Sequence, residues 1–357
     1  MLTDLTDISV GPEWSIHQVL TQMDASRRGI VLVLDPEGRL LGTVTDGDMR
    51  RAVLAQLDLE QPVSEVLASK ANSPFATPIT APVSADRSTF LSVLQEHRIQ
   101  HLPLVDEDQR VKSLIRMTDF VPQQDLSVQS VIMAGGQGLR LRPLTEDLPK
   151  PMLPVGGRPL LESILEELTD AGINQINLIT NFKKEVISEH FGDGADFGVD
   201  IQYVEEDRPL GTAGSLGLLE TANKPLLVIN GDIITKVDYR AMLDFHIDNK
   251  ADMTVAVKNQ EFQLPYGVVE TDGVRITGIS EKPVIRPFVN AGIYLIGPEH
   301  CRQIPAGEHY DMTDLIERLI KDGYNVVSFP VHEYWRDIGQ HEDYAQVQED
   351  SSKGLIR

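Results

Sequence analysis

Residues 131–152 constrain the fold of this 357-residue chain more than any other stretch. The apolar run Val131-Ile132-Met133-Ala134 reads as a buried strand and ends abruptly in Gly135-Gly136-Gln137-Gly138. Glycine lets a backbone turn sharply and come close to a ligand, because no Cβ stands in the way. Successive N–H groups in such a turn form a nest for phosphate oxygens. Arg140 then offers a planar fork of donors and Lys150 a mobile point charge, the usual complement of a polyphosphate.

From Ser127 onward, strand-like and helix-like segments alternate, which calls for a mostly parallel sheet with helices on both faces. Strands are expected at 127–134, 174–180, 201–205, 226–229 and 325–330, and helices at 159–171, 184–191 and 211–221. In open α/β sheets, ligands sit beyond the carboxyl ends of the strands. The run Leu226–Ile229 leads into Asn230-Gly231-Asp232, so Asp232 and Gly135 should face one cleft. A carboxylate beside a phosphate loop is the hard oxygen donor that Mg2+ prefers. Asp232 is therefore one metal candidate, and Asp337 in Trp335-Arg336-Asp337-Ile338-Gly339 is a second. No Gly-x-Gly-x-x-Gly follows the first strand and no Gly-Lys-Ser/Thr closes the loop, which argues against a dehydrogenase or a P-loop enzyme.

The N-terminal third holds an internal repeat. Ile8 answers to Ile79, Asp35 to Asp106, Arg39 to Arg110 and Asp48 to Asp119, each pair 71 residues apart. Each copy reads as a lead-in, an amphipathic helix, two strands around a turn, and a second helix. The copies occupy about 1–69 and 70–122, with 127–357 as the second domain. Phe120 to Asp125, short and polar with Pro122 inside it, marks the boundary.

Composition excludes several function classes. A net charge of −22 argues against a general nucleic-acid binder, since phosphate contacts need clustered Lys and Arg. No run of about 18 apolar residues predicts a membrane span. A single cysteine, Cys301, and the lack of a signal-peptide pattern fit a cytoplasmic protein.

The string Gly-Gly-x-Gly-x-Arg-Leu-x-Pro-Leu-Thr followed by Pro-Lys-Pro-Met resembles the signature of the sugar-1-phosphate nucleotidyltransferases. The resemblance runs from about Val131 to Tyr344 and implies a Rossmann-like nucleotidyltransferase sheet. It implies transfer of a nucleotidyl group from an NTP to a sugar 1-phosphate, with pyrophosphate released. Arg140 and Lys150 then take the catalytic positions, and Ala134, Gly135, Gly136, Gly138, Gly211 and Thr212 those around the nucleotide. Tyr266, Gly267, Glu281, Lys282 and Asn290 match the sugar-phosphate motifs, and Asp232 and Asp337 the pair that holds Mg2+. The segment from Glu205 to Ser215 is similar to the one that flanks the base in guanylyl-transferring members, which makes GTP the expected donor.

The repeat resembles a tandem pair of CBS domains, through Gly42-Thr43-Val44-Thr45-Asp46-Gly47-Asp48. That resemblance implies an adenine-nucleotide (AMP, ADP or ATP) sensor with Thr45, Asp48 and Asp119 at its sites; a dimerisation and docking module without ligand is the alternative, since Asp at a strand-to-helix junction is also a good N-cap. The fused architecture resembles glucosamine-1-phosphate guanylyltransferases of legionaminic-acid-type pathways, with mannose 1-phosphate or another base and sugar pairing as alternatives. A regulatory protein that binds nucleotide sugars is the non-enzyme alternative. CBS pairs commonly associate face to face, so a homodimer or larger even assembly is expected.

Overall fold

A computed structural model describes residues 1–71, 75–120, 125–220, 222–305 and 307–356. The chain divides into two compact units, Met1–Gln124 and Asp125–Arg357. The boundary residues 121–124 lie outside the described residues, as does Thr221.

In the first unit, each copy of the repeat builds a small three-stranded sheet. The first joins β1 (Ser9–Val10), β2 (Ile30–Leu34) and β3 (Leu40–Thr45); the second joins β4 (Ala81–Pro82), β5 (His101–Val105) and β6 (Val111–Arg116). The helix of the first copy, α1 (Ile16–Ser26), starts at Ser15, whose side chain and that of Gln18 cap each other's backbone. In the second copy the helix Arg87–Glu96 starts at Asp86, which accepts from Thr89 N at 2.7 Å. The copies meet at equivalent positions: Leu40 N donates to Gln109 O and Val111 N to Gly38 O, both at 3.2 Å. Adding 71 to one pair gives the other, so the two hydrogen bonds flank a local two-fold axis between Arg39 and Arg110. Ile8, Ile30, Leu32 and Leu114 fill the core beneath that junction. One expectation is met in the first copy alone among the described residues. The second helix forms in the first copy as Asp46–Leu54, whereas β6 of the second copy is followed only by the single 3-10 turn Met117–Asp119 among the described residues. Residues 121–124, where the rest of that helix would fall, lie outside the described residues.

The second unit is a seven-stranded sheet. In chain order its strands are β7 (Gln129–Met133), β8 (Gln175–Thr180), β9 (Asp200–Glu205), β10 (Leu226–Asn230), Met253–Asn259, Phe288–Ile296 and Val326–Val331. Strands β9, β8, β7 and β10 lie side by side in that order, all parallel. Phe288–Ile296 runs antiparallel between β10 and Met253–Asn259, and Val326–Val331 completes the edge in parallel. Period-two alternation sends neighbours to opposite faces. Ile132, Leu227 and Ile229 join the core under the helices Leu160–Asp170 and Tyr239–Asp248, while Val131, Leu226 and Val228 join the core on the other face with Met312–Lys321. The sheet is buried on both sides, so its strands read as continuous apolar runs.

The segment expected as one helix over 211–221 is a single α-turn, Gly211–Gly214, continued as 3-10 over Ser215–Leu218. Close packing explains the shortening. A Cβ on Gly214 would lie 2.4 Å from Glu308 O, so this turn is pressed against the 308–310 backbone rather than free to extend.

Gly231 is a second point of close approach. Its N–H donates to Met133 O at 2.9 Å, and a Cβ there would lie 2.6 Å from that same oxygen. Only glycine lets the ends of β7 and β10 close up. Gly231→Ala is expected to cost about 1–3 kcal/mol by overpacking. Denaturant unfolding checks this, and an unchanged midpoint would show that the two strand ends can separate without loss.

Candidate active site

Because β9, β8, β7 and β10 are parallel, their carboxyl ends share one edge of the sheet. The residues that follow them line one cleft of about 480 Å³: Gly135 to Leu141, Asn181, Glu206, Pro209 and Asp232, joined by Lys150, Asp337 and Gly339.

The glycine turn is shaped by its own side chains. Gly138 sits at φ 62°, the left-handed region, and a Cβ there would press on Thr145 at 2.9 Å and on Lys150 at 3.1 Å. Thr145 Oγ1 donates to Gly138 O at 2.7 Å and Leu141 N to the same oxygen at 2.9 Å, which fixes the turn. A Cβ on Gly136 would meet nothing within 4 Å, so its backbone is open to a ligand. Ala134 is buried beneath the turn, while Arg140 stands exposed on the 3-10 turn Leu139–Leu141.

Two acidic side chains converge opposite this turn. The short strand β11 (Ile233–Thr235) pairs antiparallel with Trp335–Asp337, placing Ile233 opposite Asp337, and Ile338 N donates to Asp232 O at 2.9 Å. Trp335 Nε1 donates to Ala291 O at 2.8 Å and ties the second strand to the sheet. Asp232 and Asp337 therefore meet although 105 residues separate them. Lys150 Nζ lies 2.5 Å from Asp232 Oδ2. Asp337 is left with a carboxyl pushed up to about 6: desolvation in the cleft contributes most, then the Asp232 carboxylate, against the opposing pull of Lys150 and Arg140. Two carboxylates that one lysine neutralises only partly suit a hard divalent cation with oxygen ligands, so this donor set fits Mg2+.

The other residues expected around the ligands fall into three groups. Thr212 and Gly211 do not line the cleft: Thr212 Oγ1 accepts from Met312 N at 2.9 Å, and Thr212 N donates to Asp311 Oδ1 at 3.2 Å. Gly211 (φ 77°) would carry a Cβ 2.6 Å from Asp311 Oδ1, so this pair caps the helix Met312–Lys321. Asn290 is exposed on its strand; its Oδ1 accepts from Gly292 N at 3.0 Å, and Tyr294 shares a hydrogen bond with it. Tyr266, Gly267, Glu281 and Lys282 flank the exposed hairpin Val268–Asp272/Arg275–Ser280, outside the lining of the cleft, with Tyr266 76% exposed. Asn181, by contrast, lines the cleft and stood out in no motif, and Glu206 lines it from within the segment 205–215. A polar residue just past each parallel strand was the available signal.

In the first unit, Thr45 and Asp48 are engaged with each other. Asp48 Oδ2 accepts from Thr45 N and Oγ1, both at 2.9 Å, and from Lys70 Nζ at 2.7 Å, while Oδ1 meets Arg51 at 2.5 Å. These contacts hold the buried Asp48 below the usual carboxylate range against its desolvation. Asp119 repeats the arrangement, accepting from Arg116 N at 2.9 Å.

Comparison with known proteins places this architecture. Residues 129–354 match the protein-family profile described as nucleotidyl transferase, and residues 2–55 and 71–122 each match the CBS domain. The chain is 35% identical over 235 residues to a mannose-1-phosphate guanylyltransferase of Mycobacterium tuberculosis, covering 64% of this chain and 66% of that protein. It thus spans just under two thirds of that relative's length. It is 34% identical to the D-glycero-alpha-D-manno-heptose 1-phosphate guanylyltransferase of Aneurinibacillus thermoaerophilus, covering 62% of this chain and 98% of that one. Among solved structures it resembles HddC from Yersinia pseudotuberculosis at 27% identity and a TM-score of 0.50, over 63% of this chain and 99% of that chain.

The strain at Asp337 has a measurable sign. Its folded value near 6 exceeds the ordinary 3.8, so the folded chain holds a proton that the unfolded chain releases. That contribution is full below about 3.8 and is lost as pH rises through about 6. Without divalent cations, the melting temperature of the wild type relative to Asp337→Asn should fall across this window. A pH-independent difference would mean that neither burial nor the neighbouring Asp232 raises the Asp337 carboxyl.

Proposed function

The chain belongs to the nucleotidyl transferase family and carries a CBS pair ahead of that domain; from this footing we propose that it transfers a guanylyl group from GTP to a sugar 1-phosphate, releasing pyrophosphate. The observation that carries the proposal is the convergence of Lys150, Asp232 and Asp337 opposite an open glycine turn. The guanylyl-transferring relatives support the choice of base. Mannose 1-phosphate, named in one of them, and glucosamine 1-phosphate, suggested by the fused architecture, are the first acceptors to assay.

The reaction needs positioning and charge neutralisation more than proton transfer, because a phosphate monoester is already anionic near neutral pH. The N–H groups of the Gly135–Gly138 turn would hold phosphate oxygens. Arg140, exposed at the mouth of that turn, would steady the departing pyrophosphate. Lys150 would meet the α-phosphate, where negative charge grows in the transition state. Asp232 and Asp337 would hold a divalent cation, which supplies charge neutralisation between the two anionic substrates. On the exposed hairpin, Lys282 and Glu281 would engage the sugar phosphate and a sugar hydroxyl. For the CBS pair we propose adenine-nucleotide control of turnover; an assay with and without AMP or ATP tests it.

Pyrophosphate release is measured across GTP, UTP, CTP, ATP and dTTP, each with mannose-, glucosamine- and glucose 1-phosphate and Mg2+. GTP with one of these sugars is expected to dominate; turnover with no pair, in folded protein, removes the proposal. Chelation of divalent cations should abolish the reaction. Lys150→Ala should keep its circular dichroism spectrum and lose about 100- to 1,000-fold in kcat, and near-normal turnover would sink its assignment.

A further inference from the structure

Asp337 reaches the cleft on a short piece of chain. Trp335–Asp337 is three residues long, pairs with the three residues of β11 in a two-stranded sheet, and stands apart from the seven-stranded one. A two-stranded pairing of this size is marginal in water, so its placement has to come from outside the pair. Trp335 supplies one hold, through Ala291 O. Tyr334 and Arg336, on either side of Trp335 in the chain, turn to another partner.

That partner is Asp350, in the helix His341–Ser352. Its side chain is buried, with 6% of the residue exposed, and it does not line the cleft. Tyr334 Oη donates to Asp350 Oδ2 at 2.8 Å, and Arg336 Nε lies 3.6 Å from the same oxygen. Gln346 Nε2, one turn earlier on the helix, donates to Oδ1 at 2.9 Å. A buried carboxylate is costly unless its partners are in place, and two of these three sit on the segment that carries Asp337. The helix itself is fixed from other sides. Tyr344 Oη donates to Pro154 O at 2.6 Å, and Val347 shares a core with Ile338. Asp350 thus grips residues 334 and 336 from a fixed helix, while Trp335 between them grips the sheet.

We infer that Asp350 is a positioning residue for the divalent-cation pair: by holding Tyr334 and Arg336 it fixes where Asp337 stands relative to Asp232. This rests on the reading of Asp232 and Asp337 as cation ligands, and adds a group that touches neither cation nor substrate. Like charges repel, so a strand released at Tyr334 and Arg336 lets Asp337 swing away from Asp232. A cation then has to draw the two carboxylates together and order the strand as it binds, which weakens its binding; a site already spaced for its ligand is spared that loss. Once the cation is bound, the geometry is restored. The clamp therefore acts on cation affinity and leaves the saturated site unchanged.

The test titrates Mn2+, a paramagnetic stand-in for Mg2+, into wild type, D350N, Y334F and Y344F, with and without GTP, and reads free Mn2+ by electron paramagnetic resonance. D350N keeps the side chain's shape and loses the charge facing Arg336. Y334F removes one hydrogen bond to Asp350, keeps the ring in its core, and carries the test if D350N folds poorly. The Mn2+ dissociation constant should rise about 10-fold in D350N, the scale of losses when groups that orient metal ligands are removed, and by less in Y334F. The Mg2+ concentration for half-maximal pyrophosphate release should rise with it, while kcat at saturating Mg2+ stays close to wild type. Y344F, which frees the same helix from Pro154 O instead, should leave the constant unchanged. A lower melting temperature with an unchanged Mn2+ constant in both D350N and Y334F is what a purely structural role gives, and it overturns the inference while the cation pair stands. If the wild type binds no Mn2+ in either condition, the cation pair falls and the inference with it, and pyrophosphate release still decides nucleotidyl transfer on its own.

Discussion

Two carboxylates held together against their mutual repulsion organise the C-terminal unit. Asp232 follows a core strand, and Asp337 arrives on a three-residue strand whose pairing is anchored by Trp335 on the Ala291 carbonyl. Separated, each would be an ordinary solvated acid. Burial in the cleft first, and Asp232 beside it second, raise the Asp337 carboxyl to about 6, and Lys150 compensates only in part. The packing that imposes this cost is the same packing that closes β7 on β10 through Gly231, so the charge pair is not a local accident of two loops. It is the strain a functional site stores and a stable scaffold tolerates.

The sheet also sorts chemistry by position. Parallel strands present their carboxyl ends together, and here four of them deliver different groups in lateral order. One end of the cleft gathers cationic and metal-seeking groups; the other presents hydrogen-bonding groups at Asn181 and Glu206. The exposed hairpin with Tyr266, Glu281 and Lys282 stands outside that lining.

Much of this was legible in the amino-acid sequence, and the limits have physical reasons. Continuous apolar runs marked the buried parallel strands, and the glycine string after β7 announced a turn that must stay free of side chains. The 71-residue offset foretold two equivalent copies, and the mirrored bonds around Arg39 and Arg110 follow from it. The meeting of Asp232 with Asp337 depends on a pairing between short strands about 100 residues apart, which no local pattern encodes. Asn181 carried no signal because an asparagine in a polar loop is ordinary until the strand order puts it in a cleft. Thr212 differs: the resemblance placed it around the nucleotide, and in the structure its hydroxyl accepts from Met312 N at the start of the helix Met312–Lys321. Asp48 is similar, a motif residue whose oxygens are engaged by Thr45, Arg51 and Lys70.

The pairing of Ile233 with Asp337 also bears on how the enzyme is made. A ribosome adds roughly 5–20 residues per second, so about 100 residues of synthesis take on the order of 5–20 s. For that interval Asp232 is already in the nascent chain and its acidic companion is not. Lys150 has emerged earlier still and can sit on Asp232 as a provisional counterion, as it does at 2.5 Å in the finished fold. A half-built domain therefore holds Asp232 beside a cation before its acidic neighbour arrives, so the repulsion between the two carboxylates enters only late in synthesis.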